Sequence, residues 1–153
     1  MKKVVIDAGH GGLDSGAVNN LICEKDKVLL FAIELARIFK VIGILPILTR
    51  TEDKAITLNA RIAQEIVSDA DCCISCHMDA GPPNACGMTI WLHSNAPQHY
   101  IGWAQDVLDE LKKIGFTSNR SLEINKGYRG DDKTDYAWNR GTRSPSMLLE
   151  LGF

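Results

Sequence analysis

The chain is 153 residues long, 45% hydrophobic and 24% charged, with 17 basic against 19 acidic side chains and a formal net charge of −2. These figures fit one average globular domain, exclude collagen-like, coiled-coil and disordered classes, and argue against nucleic acid as an electrostatic partner. No apolar run approaches the roughly 20 residues of a membrane-crossing helix, and the longest, near residues 28–36, is broken by Glu34.

In chain order, residues 4–7 form a short apolar run that ends in Ala-Gly-His-Gly-Gly, which predicts a strand and a glycine-rich turn. From Glu24 to about Val41, Leu29, Leu30, Ile33, Ala36 and Phe39 recur at helical spacing and Gly43 closes the segment. Residues 44–48 read as a second strand. Thr57 caps a predicted helix to about Val67, with Leu58, Ile62, Ala63 and Ile66 on one face. Residues 71–77 and 87–93 read as the third and fourth strands. A helix from Asn95 or Ala96 to Lys113 stops at Gly115. Residues 123–127 are a weak strand, 128–143 a long irregular loop, and Pro145 introduces a last strand over 146–151. Alternating strands and helices predict one α/β domain with a largely parallel sheet.

The first residues, Met-Lys-Lys-Val-Val-Ile-Asp, lack the apolar core of a signal peptide, so the chain is expected to be made and left in a cytoplasm. Five cysteines, Cys23, Cys72, Cys73, Cys76 and Cys86, are then expected to be free thiols. Cys73-Ile-Ser-Cys76-His77 matches a haem-attachment pattern, but strand alternation sends Cys73 and Cys76 to opposite faces. The glycines of residues 9–16 lack the Gly-Lys-Ser/Thr of a phosphate loop, and Ser15 sits in no Gly-x-Ser-x-Gly elbow.

Sites in open α/β sheets form outside the carboxyl ends of the strands. His10 follows the first strand, His77 ends the third, Glu150 lies near the end of the last, and Glu24 opens the first helix. Two imidazoles and a carboxylate make a three-ligand zinc set, and a further carboxylate suits proton transfer in metal-assisted hydrolysis. On spacing alone these stay candidates, since any such domain has histidines and glutamates near strand ends.

Four stretches in order carry more: Asp-Ala-Gly-His-Gly-Gly-Leu-Asp-Ser-Gly-Ala from Asp7, Glu-Lys-Asp from Glu24, Ser-Cys-His-Met-Asp-Ala from Ser75, and Pro-Ser-Met-Leu-Leu-Glu-Leu-Gly-Phe from Pro145. Together they resemble the zinc-dependent N-acetylmuramoyl-L-alanine amidases of bacterial autolysins and phage endolysins. The resemblance implies a twisted, mostly parallel six-stranded sheet flanked by helices, of zinc-peptidase-like type. It implies that His10, Glu24 and His77 hold one zinc ion, that Glu150 is the catalytic carboxylate, and that the substrate is peptidoglycan, cut between muramic acid and L-alanine. Asp79 is expected beside the metal or the substrate. His93 is a candidate for the cleft border, with an ordinary partly exposed histidine as the favoured reading. Arg50, Arg61 and Asp53 are expected as ion-pair scaffolding, and the stretch 129–143 as a solvated loop or a groove wall.

The expected role is host-cell lysis by a phage-type endolysin, released through a membrane breach, with a monomer favoured and no membrane insertion. A zinc exopeptidase and a catalytically inactive wall-binding module are the alternatives. Members of the resembled family usually continue past Glu-x-Gly-Phe, so a closing helix is expected to be missing, or the member is unusually short; Leu148 or Phe153 would then be exposed.

Overall fold

The structure, a computed structural model, describes residues 1–82, 84–116, 118–119, 122–127 and 134–152. Its elements run β1 (Lys3–Ala8), β2 (Val18–Asn19), β3 (Ile22–Cys23), α1 (Glu24–Val41), β4 (Leu45–Leu48), α2 (Leu58–Ser68), β5 (Cys72–His77), β6 (Met88–Leu92), α3 (Gln98–Lys113), β7 (Leu122–Lys126), α4 (Ala137–Gly141) and β8 (Ser146–Glu150). Six strands form one sheet in the order β4-β1-β5-β8-β6-β7. Four neighbour pairs are parallel; β6 runs antiparallel to β8 and carries β7 with it. The α/β sheet flanked by helices is the fold expected above.

Central strands of such a sheet are covered on both faces, which is why β1, β6 and β8 read as continuous apolar runs rather than alternating ones. On one face, Val28, Ala32 and Ala36 of α1 pack on Val4, Ile6, Ala8 and Cys76. Ala104 and Leu108 of α3 pack on Ile90, Leu92, Met147 and Leu149, and Ile74 touches both clusters, so α1 and α3 share that face. On the other face, Val5 and Cys73 meet Trp138 of α4 and Ile62 of α2. Each fully buried aliphatic side chain contributes about 1.5–3 kcal/mol, and these clusters fix the strand register on which the site depends.

The helix ends follow local chemistry. Thr57 Oγ1 accepts the Ala60 amide at 3.3 Å at the start of α2, and Asp69 closes that helix in a left-handed conformation. Glu24 and Asp26 occupy the first turn of α1, where the helix dipole favours negative charge.

Three expectations change. The two-residue strands β2 and β3 form a small hairpin that has no apolar run to announce it. The stretch expected to be a loop contains α4; its residues 128–133 lie outside the described residues. Leu148 is buried at 4% exposure, because its side chain lies on the face that α4 covers, whereas Phe153 lies outside the described residues. The five cysteines are free, with Cys73 and Cys76 in separate clusters on opposite faces, as the alternation predicts.

Candidate metal centre and cleft

The ends of β1 and β5 stand side by side, with Ala8 paired to Cys76. His10 lies two residues past β1 and His77 ends β5, so register alone brings both imidazoles to one edge. The turn at residues 9–11 makes this possible. Gly9 donates its amide to Cys76 at 3.0 Å, and a Cβ on Gly9 would run into the His77 ring. His10 itself takes a left-handed backbone, with φ of 59°. Glu24 reaches the same point from the first turn of α1 and is 4% exposed.

The three side chains meet closely. His10 Nε2 and His77 Nδ1 each lie 3.0 Å from Glu24 Oε1, and 3.2 Å from one another. One ligand atom from each residue falls within 4.8 Å of the others, a group of metal-binding size. His10 and Glu24 are also held from behind. His10 Nδ1 pairs with Asp14 Oδ2 at 2.9 Å, which leaves Nε2 for a metal. Glu24 Oε2 accepts the Ala17 amide at 2.8 Å, and Oε1 accepts the Met78 amide at 2.8 Å. Gly16 (φ 64°) sits against this carboxylate, where a Cβ would lie 2.5 Å from Glu24 Oε2.

The electrostatics follow from these contacts. Burial pushes the Glu24 carboxyl up, but hydrogen bonds from His10, His77 and two backbone amides outweigh it and hold it well below the usual carboxylate range. The hydrogen bond to Glu24 raises His10 to about 9, against the opposing effect of burial. Without a metal, then, the Glu24 carboxylate favours its charged form and the His10 imidazole is held in its protonated form by the same contact. Two nitrogens and one oxygen, oriented and opening on a cavity, are the donor set of a catalytic zinc site with a position left for water or substrate. The residues present fit that ion.

The cavity is a cleft of about 600 Å³ whose walls include His10, His77, Thr57, Tyr136, Trp138 and Glu150. Glu150 is 8% exposed, and β8 sets it opposite His77 in the parallel register. Asp79 is buried beyond β5, where its amide donates to Gly152 at 2.7 Å. With Glu24 it lines a second cavity of about 340 Å³, on the other side of that carboxylate from the cleft walls of His10 and His77.

His93 lies elsewhere: its candidacy for the cleft border is corrected, and it is the partly exposed histidine of the favoured reading. Because β6 runs antiparallel to β8, Trp91 pairs with Leu148 and Thr89 with Glu150. The C-terminal end of β6 therefore points to the sheet edge opposite Glu150. There His93 faces Asp135 at 3.4 Å. Asp53 and Arg61 form ion pairs, as expected: Lys25 pairs with Asp53 at 2.6 Å and Arg61 with Asp7 at 2.7 Å. For Arg50 the ion-pair expectation is corrected: among the described residues it holds carbonyls, those of Ala8, Gly9, Lys25 and Glu52. Sequence reasoning missed Asp14 as the partner of His10. Its one signal is the four-residue spacing inside the glycine-rich turn, and that spacing has meaning only once the turn is known to fold back, with Gly11 and Asp14 bridged.

A family model described as N-acetylmuramoyl-L-alanine amidase matches residues 4–153. The "Probable cell wall amidase LytH" of Staphylococcus aureus is 38% identical over 158 residues, covering 99% of this chain and 48% of LytH, so the chain spans about half the length of that relative. The uncharacterized protein YqiI of Bacillus subtilis (strain 168) is 33% identical over 153 residues, covering 99% of this chain and 70% of YqiI. Among solved structures, the catalytic domain of CwlV, an N-acetylmuramoyl-L-alanine amidase from Bacillus (Paenibacillus) polymyxa var. colistinus, superposes with a TM-score of 0.82 at 28% identity, covering 99% of this chain and 80% of that one.

Proposed function

The chain belongs to the N-acetylmuramoyl-L-alanine amidase family, and from that premise we propose that it hydrolyses the amide between N-acetylmuramic acid and the L-alanine of the peptidoglycan stem, with one zinc ion held by His10, Glu24 and His77. The observation that carries the reading is the meeting of three oriented ligand atoms with a carboxylate-bearing cleft. When bound, zinc supplies Lewis acidity toward the scissile carbonyl.

The protein's own groups do the rest. Glu150 stands on the cleft wall with His77 as its cross-strand neighbour. Its carboxylate takes the proton of the attacking water and returns it to the departing alanine nitrogen, which leaves as a neutral amine. Asp14 holds the His10 ring, and the Ala17 and Met78 amides hold Glu24, so the ligands need no rearrangement when the substrate arrives. The apolar and aromatic wall formed by Ile56, Leu58, Tyr136 and Trp138 gives a sugar-peptide chain a surface to lie on and keeps bulk water from the reacting amide.

The cellular setting proposed for this activity is host lysis by an endolysin-like enzyme made in the cytoplasm, which meets the wall after a membrane breach. Expression with and without a membrane-perforating protein tests it; lysis is expected only with both present. The chemistry is tested on purified peptidoglycan. New amino-terminal L-alanine without new reducing sugar ends, abolished by a chelator and restored by zinc, is expected. Release of free amino acids from simple peptides instead would point to an exopeptidase, and wall binding without product to an inactive module.

A further inference from the structure

We propose that Arg61 is a positioning residue for the metal ligand His10: from α2 it grips the peptide of His10 and sets the direction in which the imidazole leaves the backbone. The inference rests on the reading of His10, Glu24 and His77 as metal ligands.

Beyond the last sheet bond of β1, the carbonyls of Ala8, Gly9 and His10 face the protein interior, and two buried guanidiniums meet them. Arg50 donates to Ala8 and Gly9, each at 2.9 Å. Arg61 donates to Ala8 at 2.5 Å through Nη1 and to the His10 carbonyl through Nη2. Among the described residues, Arg61 is the donor that the structure gives the His10 carbonyl. The guanidinium is itself fixed, by the Asp7 carboxylate at 2.7 Å and by the Ile56 carbonyl at 3.0 Å through Nε. Asp7 in turn accepts Thr49 and Ser75 hydroxyls at 2.7 Å each. A continuous set of bonds therefore ties α2, β1, β5 and the residue after β4 to one peptide plane.

That plane needs holding. His10 has φ of 59°, a left-handed conformation uncommon for a residue with a Cβ and less favourable than ordinary backbone unless its surroundings support it. If its carbonyl is released, His10 relaxes toward ordinary backbone angles. The ring then swings away from Glu24 and His77. Only a planar fork spans three carbonyls and a carboxylate at once; a lysine ammonium is a point donor on a flexible stem. Every bond given to Arg61 is internal, so its place on the cleft wall is that of a support rather than a substrate contact.

The test uses Arg61→Lys in the full chain, with fold checked by circular dichroism and zinc affinity measured against a competing chelator. The expected result is folded protein that binds zinc about ten- to a hundredfold more weakly, the usual scale for losing a group that orients a ligand. Shifted visible bands of the cobalt-loaded form are expected with it. In an Asp14→Ala background, where the His10 ring has already lost its other support, Arg61→Lys is expected to cost clearly less affinity than it does alone. Affinity within twofold of the parent chain, or a loss of the same size in the Asp14→Ala background, would overturn the proposal and leave Arg61 a purely structural residue. If Arg61→Lys does not fold, Asp7→Asn, which keeps the shape but loosens the guanidinium, carries the same comparison. Absence of zinc binding by the parent chain would instead remove the metal-site reading itself.

Discussion

Two histidine–carboxylate clusters sit at opposite edges of one sheet, and they are built in opposite ways. At the first, His10 and Glu24 are tied from outside to Asp14 and to backbone amides, while ligand atoms of His10, Glu24 and His77 converge beside an open cleft. At the second, the polar atoms are spent on the loop itself. Asp135 accepts the Ser94 amide at 2.5 Å and its hydroxyl at 3.0 Å, and His93 Nδ1 accepts the Asn95 amide at 3.0 Å. The lesson is that a histidine next to a carboxylate marks a site only when its ligand atom is left over after the local hydrogen bonds have been made. The first cluster is arranged for a metal; the second closes the turn that leads into α3.

Substitution should separate the clusters sharply. His77→Ala removes one of three ligands and is expected to bring zinc content and wall hydrolysis below detection. His93→Ala should leave hydrolysis within about twofold, the small effect usual for a group outside the reacting site. Metal analysis of the purified variants with a turbidity assay on walls checks both, and equal losses would erase the distinction. At the next level down, Asp14→Ala should weaken zinc binding about ten- to a hundredfold by freeing the His10 ring. Asp135→Ala should leave zinc affinity unchanged and cost about 1 kcal/mol of stability from the hydrogen bonds it loses. Chelator competition and denaturant unfolding read the two outcomes.

A smaller effect appears in the metal-free protein as pH changes. Glu24 is held below its ordinary value of 4.5, so its contribution to stability is present above that pH and is lost as pH falls toward its folded value. His10 is raised from 6.5 to about 9, so its contribution is full below 6.5 and is lost as pH rises through about 9. The metal-free chain should therefore be most stable between about pH 5 and 6.5 as far as this pair is concerned. His10→Ala should flatten the alkaline limb of that profile, and His93→Ala should leave it in place. Melting temperatures across pH, taken in the presence of chelator, check this.

The first cluster was legible in the sequence because its residues stand at places that topology controls. His10 and His77 end adjacent parallel strands, Glu24 opens the intervening helix, and Glu150 closes the strand paired with β5. Rules about strand ends and helix starts suffice to gather them, and the ordered motifs raise four scattered residues to one site. His93 was misplaced for the complementary reason. Nothing in residues 87–93 reveals strand direction, and reversing β6 moves its end to the far edge. The pairing of Asp14 with His10, the Arg61 grip on the His10 carbonyl and the short helix α4 depend on how loops fold back over a finished core. No periodicity in the local sequence records such contacts.

The comparison rests on a division of labour within the first edge as well. In the proposed function, three residues bind the metal, and Glu150, outside the ligand set, moves the proton. The most direct measurement is the Glu150→Ala variant, assayed together for bound zinc and for release of amino-terminal L-alanine from purified peptidoglycan. One zinc per chain is expected, with hydrolysis reduced at least about a hundredfold, as the loss of a general acid–base requires. Near-normal hydrolysis in zinc-loaded Glu150→Ala would contradict the assignment, and so would restored hydrolysis on simply adding more zinc.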